Sequence, residues 1–192
     1  MENFQQLLSD TLQIPLSSVE LCAEKIKIKH INKNEFLMRE GEICKDTFFV
    51  NKGLLRMYSI DNHGKEHIIH FAPENWFLVD RTSFYLNEPT QYFIDSIENS
   101  EVLILSPEYF EYILEKHPEV ANRQNKLLHN HIRNLQKRIT QLLGATAEER
   151  YLDFLKTYPN IFERVPQWMV ASYLGITPES LSRVRKELTK RK

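Results

Sequence analysis

The chain has 192 residues, of which 42% are apolar, 11% aromatic and 27% charged, the make-up of a folded globular protein rather than a disordered one. Five glycines and eight prolines exclude collagen-like and low-complexity chains. The net charge of −1 conceals an asymmetry: residues 1–119 carry 11 Lys+Arg and 20 Asp+Glu, residues 120–192 carry 14 and 6, and the two parts are therefore −9 and +8. A basic C-terminal part suggests a polyanionic partner. Mutual attraction of the two parts is the alternative explanation.

Two cysteines, Cys22 and Cys44, exclude a disulfide framework and a four-thiolate cluster. Both are expected as buried thiols of a cytoplasmic protein. The opening MENFQQLLSD has no basic leader and no long apolar stretch, so neither a secretory signal nor a membrane span is expected.

Phe4, Leu7, Leu8 and Leu12 recur at helical spacing and predict a short amphipathic helix that Pro15 ends. Ser17 and Glu20 resemble a capping box and predict a second helix running through Leu21 to Ile26. From about Ile31 to Leu105 the pattern changes to short β-branched or aromatic runs. Strands are predicted at Phe36–Met38, Thr47–Val50, Leu54–Tyr58, His67–Phe71, Phe93–Ile97 and Val102–Leu105, with Gly-, Asn- and Pro-rich turns between them. This spacing predicts an antiparallel barrel or roll.

Ser106 as N-cap and Pro107 at the first helical position open a helix that His117-Pro118 breaks. The next helix is long and ends at Gly144. Ala121, Asn125, Leu128, Ile132, Leu135, Ile139 and Leu142 alternate at spacings of four and three, the a/d pattern of a two-stranded coiled coil. The stripe is about 33 Å long at the 1.5 Å rise of a helix. It predicts a dimer seam through Leu128, Ile132, Leu135, Ile139 and Leu142, with packing on its own domain as the alternative. Thr146-Ala147-Glu148-Glu149 starts a fresh helix. Helical pieces are expected at 146–157, 166–174 and 178–189.

Residues 165–188 read VPQWMVASYLGITPESLSRVRKEL. Val170, Leu174, Ile176, Leu181, Val184 and Leu188 would share a core, and Gly175 supplies the left-handed turn. Thr177 caps the next helix and Pro178 occupies its first position. Two short helices so joined make a helix-turn-helix. The second helix carries Thr177, Glu179, Ser180, Ser182, Arg183, Lys186 and Lys190 as candidate DNA contacts: small polar residues admit the backbone to base edges, and arginine offers a fork for guanine or phosphate. An ordinary hairpin with a solvated charged face is the bland alternative. Any wing after this helix would be absent or very short, which leaves phosphate contacts to Lys190, Arg191, Lys192 and helix N-termini.

VASYLGITPESLSRVRKEL resembles the helix-turn-helix of the cyclic-AMP receptor protein/Fnr superfamily of bacterial transcription regulators. The glycine-punctuated strands, including Arg39-Glu40-Gly41-Glu42 and Lys52-Gly53-Leu54-Leu55-Arg56, the long helix and the C-terminal unit agree in order over nearly the whole chain. The resemblance implies an α+β architecture: a jelly-roll sensor domain like a cyclic-nucleotide-binding domain at 1–117, a dimerisation helix at 118–144 and a helix-turn-helix domain of winged-helix type at 145–192. It implies a homodimer on a pseudo-palindromic operator in double-stranded DNA, with RNA polymerase as a further partner and no membrane.

The family's nucleotide-binding members hold the cyclic phosphate with a Gly-Glu pair, a small residue's N–H and an arginine. Here Val79 stands in the glycine's place, Asp80 near the ribose-binding glutamate and Gln91 where the arginine is expected. Valine's Cβ obstructs the phosphate and glutamine brings no charge, so no cyclic-AMP binding is expected. Asp80, Arg81, Thr82, Ser83 and Gln91 remain the candidate pocket for an unidentified small-molecule effector or for nothing, with Arg81 the one available cation. His63, His67 and His70 offer no closed metal set and no supported haem ligand, and His129, Asn130 and His131 are expected to be solvated or interfacial. No P-loop, GxSxG, HExxH or dinucleotide fingerprint is present, so neither catalytic nor metal-binding residues are assigned. The competing class is a β-roll ligand-sensing or interaction module whose C-terminal helices bind protein rather than DNA.

Overall fold

Short segments of alternating burial assemble into two four-stranded antiparallel sheets in the computed structural model, which describes residues 1–21 and 23–191. Cys22, expected as a buried thiol, and Lys192, expected at a phosphate, lie outside the described residues. The chain divides into two compact units: Met1–Ser59 with His70–Leu128, and Ile60–Ile69 with His129–Lys192.

The first unit opens with α1 (Glu2–Leu12), whose buried face is Phe4, Leu8 and Leu12, as the helical spacing predicts. The next stretch corrects the sequence reading. Helix α2 spans only Leu16–Glu20, with Pro15 at its N-cap position and no side-chain cap bond, so Ser17 and Glu20 form no capping box. Where a helix was expected to reach Ile26, a short 3₁₀ turn at Ala23–Lys25 leads into strand β1 (Ile26–Ile31). IKIKHI alternates with a strand's period of two, and its backbone pairs residue by residue with β8 (Ser100–Leu105), Ile28 opposite Leu103.

The other strands are β2 (Phe36–Met38), β3 (Thr47–Lys52), β4 (Leu55–Ile60), β5 (Glu66–Ala72), β6 (Phe77–Leu78) and β7 (Phe93–Ser96). Every strand read from the sequence is present; β1 and the two-residue β6 are additional. The sheet orders are β1-β8-β3-β6 and β2-β7-β4-β5. Met38, Val50, Leu55, Leu78, Ile94 and Val102 form one apolar core, with Met57, Trp76, Val79 and Phe84 packed against it. A second core joins Phe49, Leu103 and Leu105 to α1, α2 and α4 (Pro107–Lys116).

Gly53 at the β3–β4 turn has φ +98, and a Cβ there would lie 2.1 Å from Ser100 Oγ and 2.8 Å from Ser100 Cα. Only glycine allows Ser100 Oγ to approach closely enough to accept the Leu54 N–H at 3.2 Å. On neighbouring strands Arg56 and Asp95 form a buried bidentate pair, at 2.7 and 2.9 Å, with the Arg56 guanidinium 4.1 Å from the Tyr58 ring centre. Ser106 occupies the N-cap of α4 and Pro107 its first position, but no side-chain cap bond forms. Helix α5 (Val120–Gly144) follows after the His117-Pro118 break.

The second unit holds the tip of the β4–β5 hairpin, most of α5, and helices α6 (Ala147–Thr157), α7 (Ile161–Arg164), α8 (Gln167–Leu174) and α9 (Pro178–Lys190). Thr146 and Glu149 close a reciprocal capping box on α6. Tyr151, Phe154, Tyr158, Ile161, Val165, Val170, Ala171, Leu174, Leu181 and Val184 are buried, whereas Ile176 and Leu188, expected in the same core, are half-buried. Among the described residues beyond 144 there is no strand, so no wing pairs with the helices there.

Candidate nucleic-acid interface

The turn between α8 and α9 is built by three residues. Gly175 sits in the left-handed region at φ 65, ψ 37, and a Cβ there would meet Leu142 Cδ2 at 3.1 Å. The Ile176 N–H reaches back to the Ala171 carbonyl at 3.0 Å, closing the end of α8. Thr177 then caps α9: its hydroxyl accepts the Ser180 N–H at 3.2 Å and donates to the Ser180 hydroxyl at the same distance. Thr177 and half-buried Ser180, both candidate DNA contacts, are thus joined to each other at the start of the helix.

The remaining candidates share one exposed face. Glu179, Ser182, Arg183, Lys186 and Lys190 recur at spacings of three and four, opposite buried Leu181 and Val184. The Glu179 carboxyl is held below its ordinary pKa, first by its own backbone N–H and then by the Thr177 hydroxyl. It stays ionised where the helix dipole favours an anion. Arg183 is exposed and, among the described residues, makes no ion pair with Glu179 or Glu187. Arg185 lies off this face, its guanidinium 4.1 Å from the Phe162 ring centre. Arg191, expected at phosphate, forms a 2.6 Å ion pair with Glu148 at the first turn of α6. That pairing joins residues far apart in sequence and has no local signal.

The stripe on α5 is open to water in the single chain. Leu128, Ile132, Leu135, Ile139 and Leu142 are 37–57% exposed, and Leu143 beside them is 85% exposed. His129 and Asn130 are exposed and His131 is half-buried.

The five pocket candidates at 80–91 divide into two groups. Asp80 is buried and caps the short helix α3 (Arg81–Leu86): its carboxylate accepts the Thr82 N–H at 3.1 Å and the Thr90 hydroxyl at 2.6 Å. Ser83 is buried as well, and its hydroxyl accepts the Cys44 N–H at 2.7 Å. Arg81, Thr82 and Gln91 are exposed. Thr90, which the sequence reading did not single out, ties the 87–92 loop to the helix cap. Its signal was local, since an aspartate just before a helix seeks hydroxyl and N–H donors. Cys44 is a buried thiol whose pKa is raised, chiefly by desolvation. In the hairpin His67 shares a 2.8 Å contact with Asp61, while His70 lies by Trp76.

Residues 28–117 match the cyclic nucleotide-binding domain family. The chain is 23% identical over 173 residues to the anaerobic regulatory protein of Pasteurella multocida, covering 84% of this chain and 63% of the relative. It is 25% identical over 169 residues to the fumarate and nitrate reduction regulatory protein of Vibrio cholerae, covering 81% and 66%. The chain therefore spans about two thirds of the length of these curated relatives. The structure of FixK2 from Bradyrhizobium japonicum superposes with a TM-score of 0.73 at 20% identity, over 86% of this chain and 85% of that one. The chain is thus similar over residues 28–117 to the cyclic nucleotide-binding domain family and over 81–84% of its length to these regulatory relatives, and it has the fold of the FixK2 structure.

Proposed function

We propose that this chain is a cytoplasmic, sequence-specific DNA-binding transcription regulator that acts as a homodimer on a pseudo-palindromic operator. The observation that carries this reading is the face of α9, where Glu179, Ser182, Arg183, Lys186 and Lys190 stand exposed on a helix whose other side is anchored in a packed core. A dimer through the open apolar stripe of α5 would present two such helices related by a two-fold axis, with half-sites about one DNA turn apart. Double-stranded DNA and a second copy of the chain are the partners. RNA polymerase as a third rests on resemblance to the cyclic-AMP receptor protein/Fnr superfamily alone. The reading assigns no catalytic step. No helix among the described residues is long and apolar enough to cross a membrane.

The residues present do not fit a cyclic phosphate. Asp80 and Ser83 are engaged within the protein, Val79 packs against the core, and Gln91 carries no charge. A buried phosphate monoanion needs a paired cation, and Arg81 is exposed. In this reading the roll acts as a degenerate sensor, open at most to a different small molecule.

The test is selection of random duplexes by wild type and Arg183→Ala, with a salt titration alongside. Wild type should enrich a two-fold symmetric motif and lose affinity steeply as salt rises. The variant should relax one base pair per half-site, worth about 1–3 kcal/mol. Identical motifs from both proteins would remove Arg183 from base readout. Salt-independent binding would favour the protein-binding alternative.

A further inference from the structure

Strand β5 is the last strand of its sheet, so one row of its backbone N–H and C=O groups has no neighbouring strand among the described residues. Near the hairpin tip this row is satisfied by side chains of the helical unit. The Ser172 hydroxyl on α8 accepts the Ile68 N–H at 3.0 Å and donates to the Glu66 carbonyl at 2.9 Å. One hydroxyl thus does for β5 what the amide and carbonyl of a neighbouring strand would do.

Arg138 on α5 completes the contact. Its guanidinium donates to the Ile69 carbonyl, to the Ile68 carbonyl at 3.1 Å and to the Tyr173 carbonyl at 3.2 Å. It also lies 4.0 Å from the Tyr173 ring centre. Tyr173 is one residue from the end of α8, where carbonyls lack intrahelical partners and a cation is favoured. The Tyr173 ring in turn packs on Phe154 and Tyr158. A planar fork with several fixed donors can serve three carbonyls at once; a lysine ammonium on a flexible stem cannot hold the same geometry over the ring.

We infer that Arg138 and Ser172 are positioning residues that latch the hairpin tip to the helix-turn-helix, so that tip and helices move as one body. Residues 60–69 accordingly cluster with the helices rather than with the sheets from which the hairpin springs. A movement of β4 and β5 would then be delivered to α8, and through the Gly175 turn to α9. This last consequence rests on the proposed DNA-binding role; the latch itself does not.

The experiment is amide hydrogen exchange on the full-length protein, with DNA binding measured in parallel. In Ser172→Ala the Ile68 amide should exchange faster by on the order of tenfold, while amides of α6 and α9 keep wild-type protection. Arg138→Gln should accelerate residues 66–70 together and weaken binding to the selected operator, and Arg138→Lys should restore neither. Exchange at Ile68 within about twofold of wild type in both Ser172→Ala and Arg138→Gln overturns the latch. Faster exchange with unchanged operator affinity overturns its link to α9. A wild-type protein that binds no duplex at low salt defeats the functional reading, while the exchange data still decide the latch.

Discussion

Gly53 shows how a single residue can be dictated by its neighbour. Its φ of +98 is a region that side chains rarely enter, and the space where a Cβ would stand is filled by Ser100 backbone and side chain. Gly53→Ala therefore adds a left-handed conformational cost to a steric one, and it displaces the hydroxyl that caps the Leu54 N–H. We expect a loss of about 2–4 kcal/mol in urea unfolding, with an unchanged slope. Gly41 and Gly64 also have positive φ, but with open space around them, so alanine there should cost only the backbone term.

At the scale of elements, the β4–β5 turn and helix α5 each have a testable chemistry. Asp61 organises the turn: it takes a contact from His67 and accepts the Lys65 and His63 N–H groups. His67 first, then those two amides, hold its carboxyl down to about 2, from an ordinary value near 3.8. The folded form therefore binds the proton less readily than the unfolded chain does. Its stabilisation is complete above about pH 4 and disappears as pH falls toward 2. The stability difference between wild type and Asp61→Asn should be present at pH 7 and close over that interval, in denaturant melts run at stepped pH. On α5, the exposed stripe from Leu128 to Leu142 has the width of a coiled-coil seam. If it joins two copies, Leu135→Glu places two carboxylates face to face at the two-fold axis, at a cost of several kcal/mol. Sedimentation should then give a monomer, and a variant still fully dimeric at micromolar concentration would sink the seam.

For the molecule as a whole, the match of residues 28–117 to the cyclic nucleotide-binding domain family does not carry the ligand with it. The cassette residues are committed elsewhere, Asp80 to Thr82 and Thr90, and Ser83 to Cys44. Calorimetry with cyclic AMP should give no heat of binding at physiological concentration. A micromolar dissociation constant would mean that Arg81 or another cation turns inward to neutralise the phosphate.

What the sequence determined by itself lies in signals a few residues long. Short β-branched or aromatic runs between turn residues marked six of the strands, Pro107, Thr146 with Glu149, and Thr177 with Pro178 marked helix starts, and Gly175 marked the turn that makes a helix-turn-helix. The apolar stripe on α5 and the charged face of α9 followed from helical spacing alone, and the structure showed the stripe to be open in the single chain. Tertiary structure decided the rest. Ile26–Ile31, whose period-two alternation competed with the helix suggested at Ser17, became a strand where β8 offered its backbone a partner. Arg191 was drawn to Glu148, and Arg138 and Ser172 were spent on the hairpin. The physical reason is common to all of these. A backbone amide or a charge must be satisfied by whatever group the fold brings within about 3 Å, and that group can stand a hundred residues away, where no local pattern points to it.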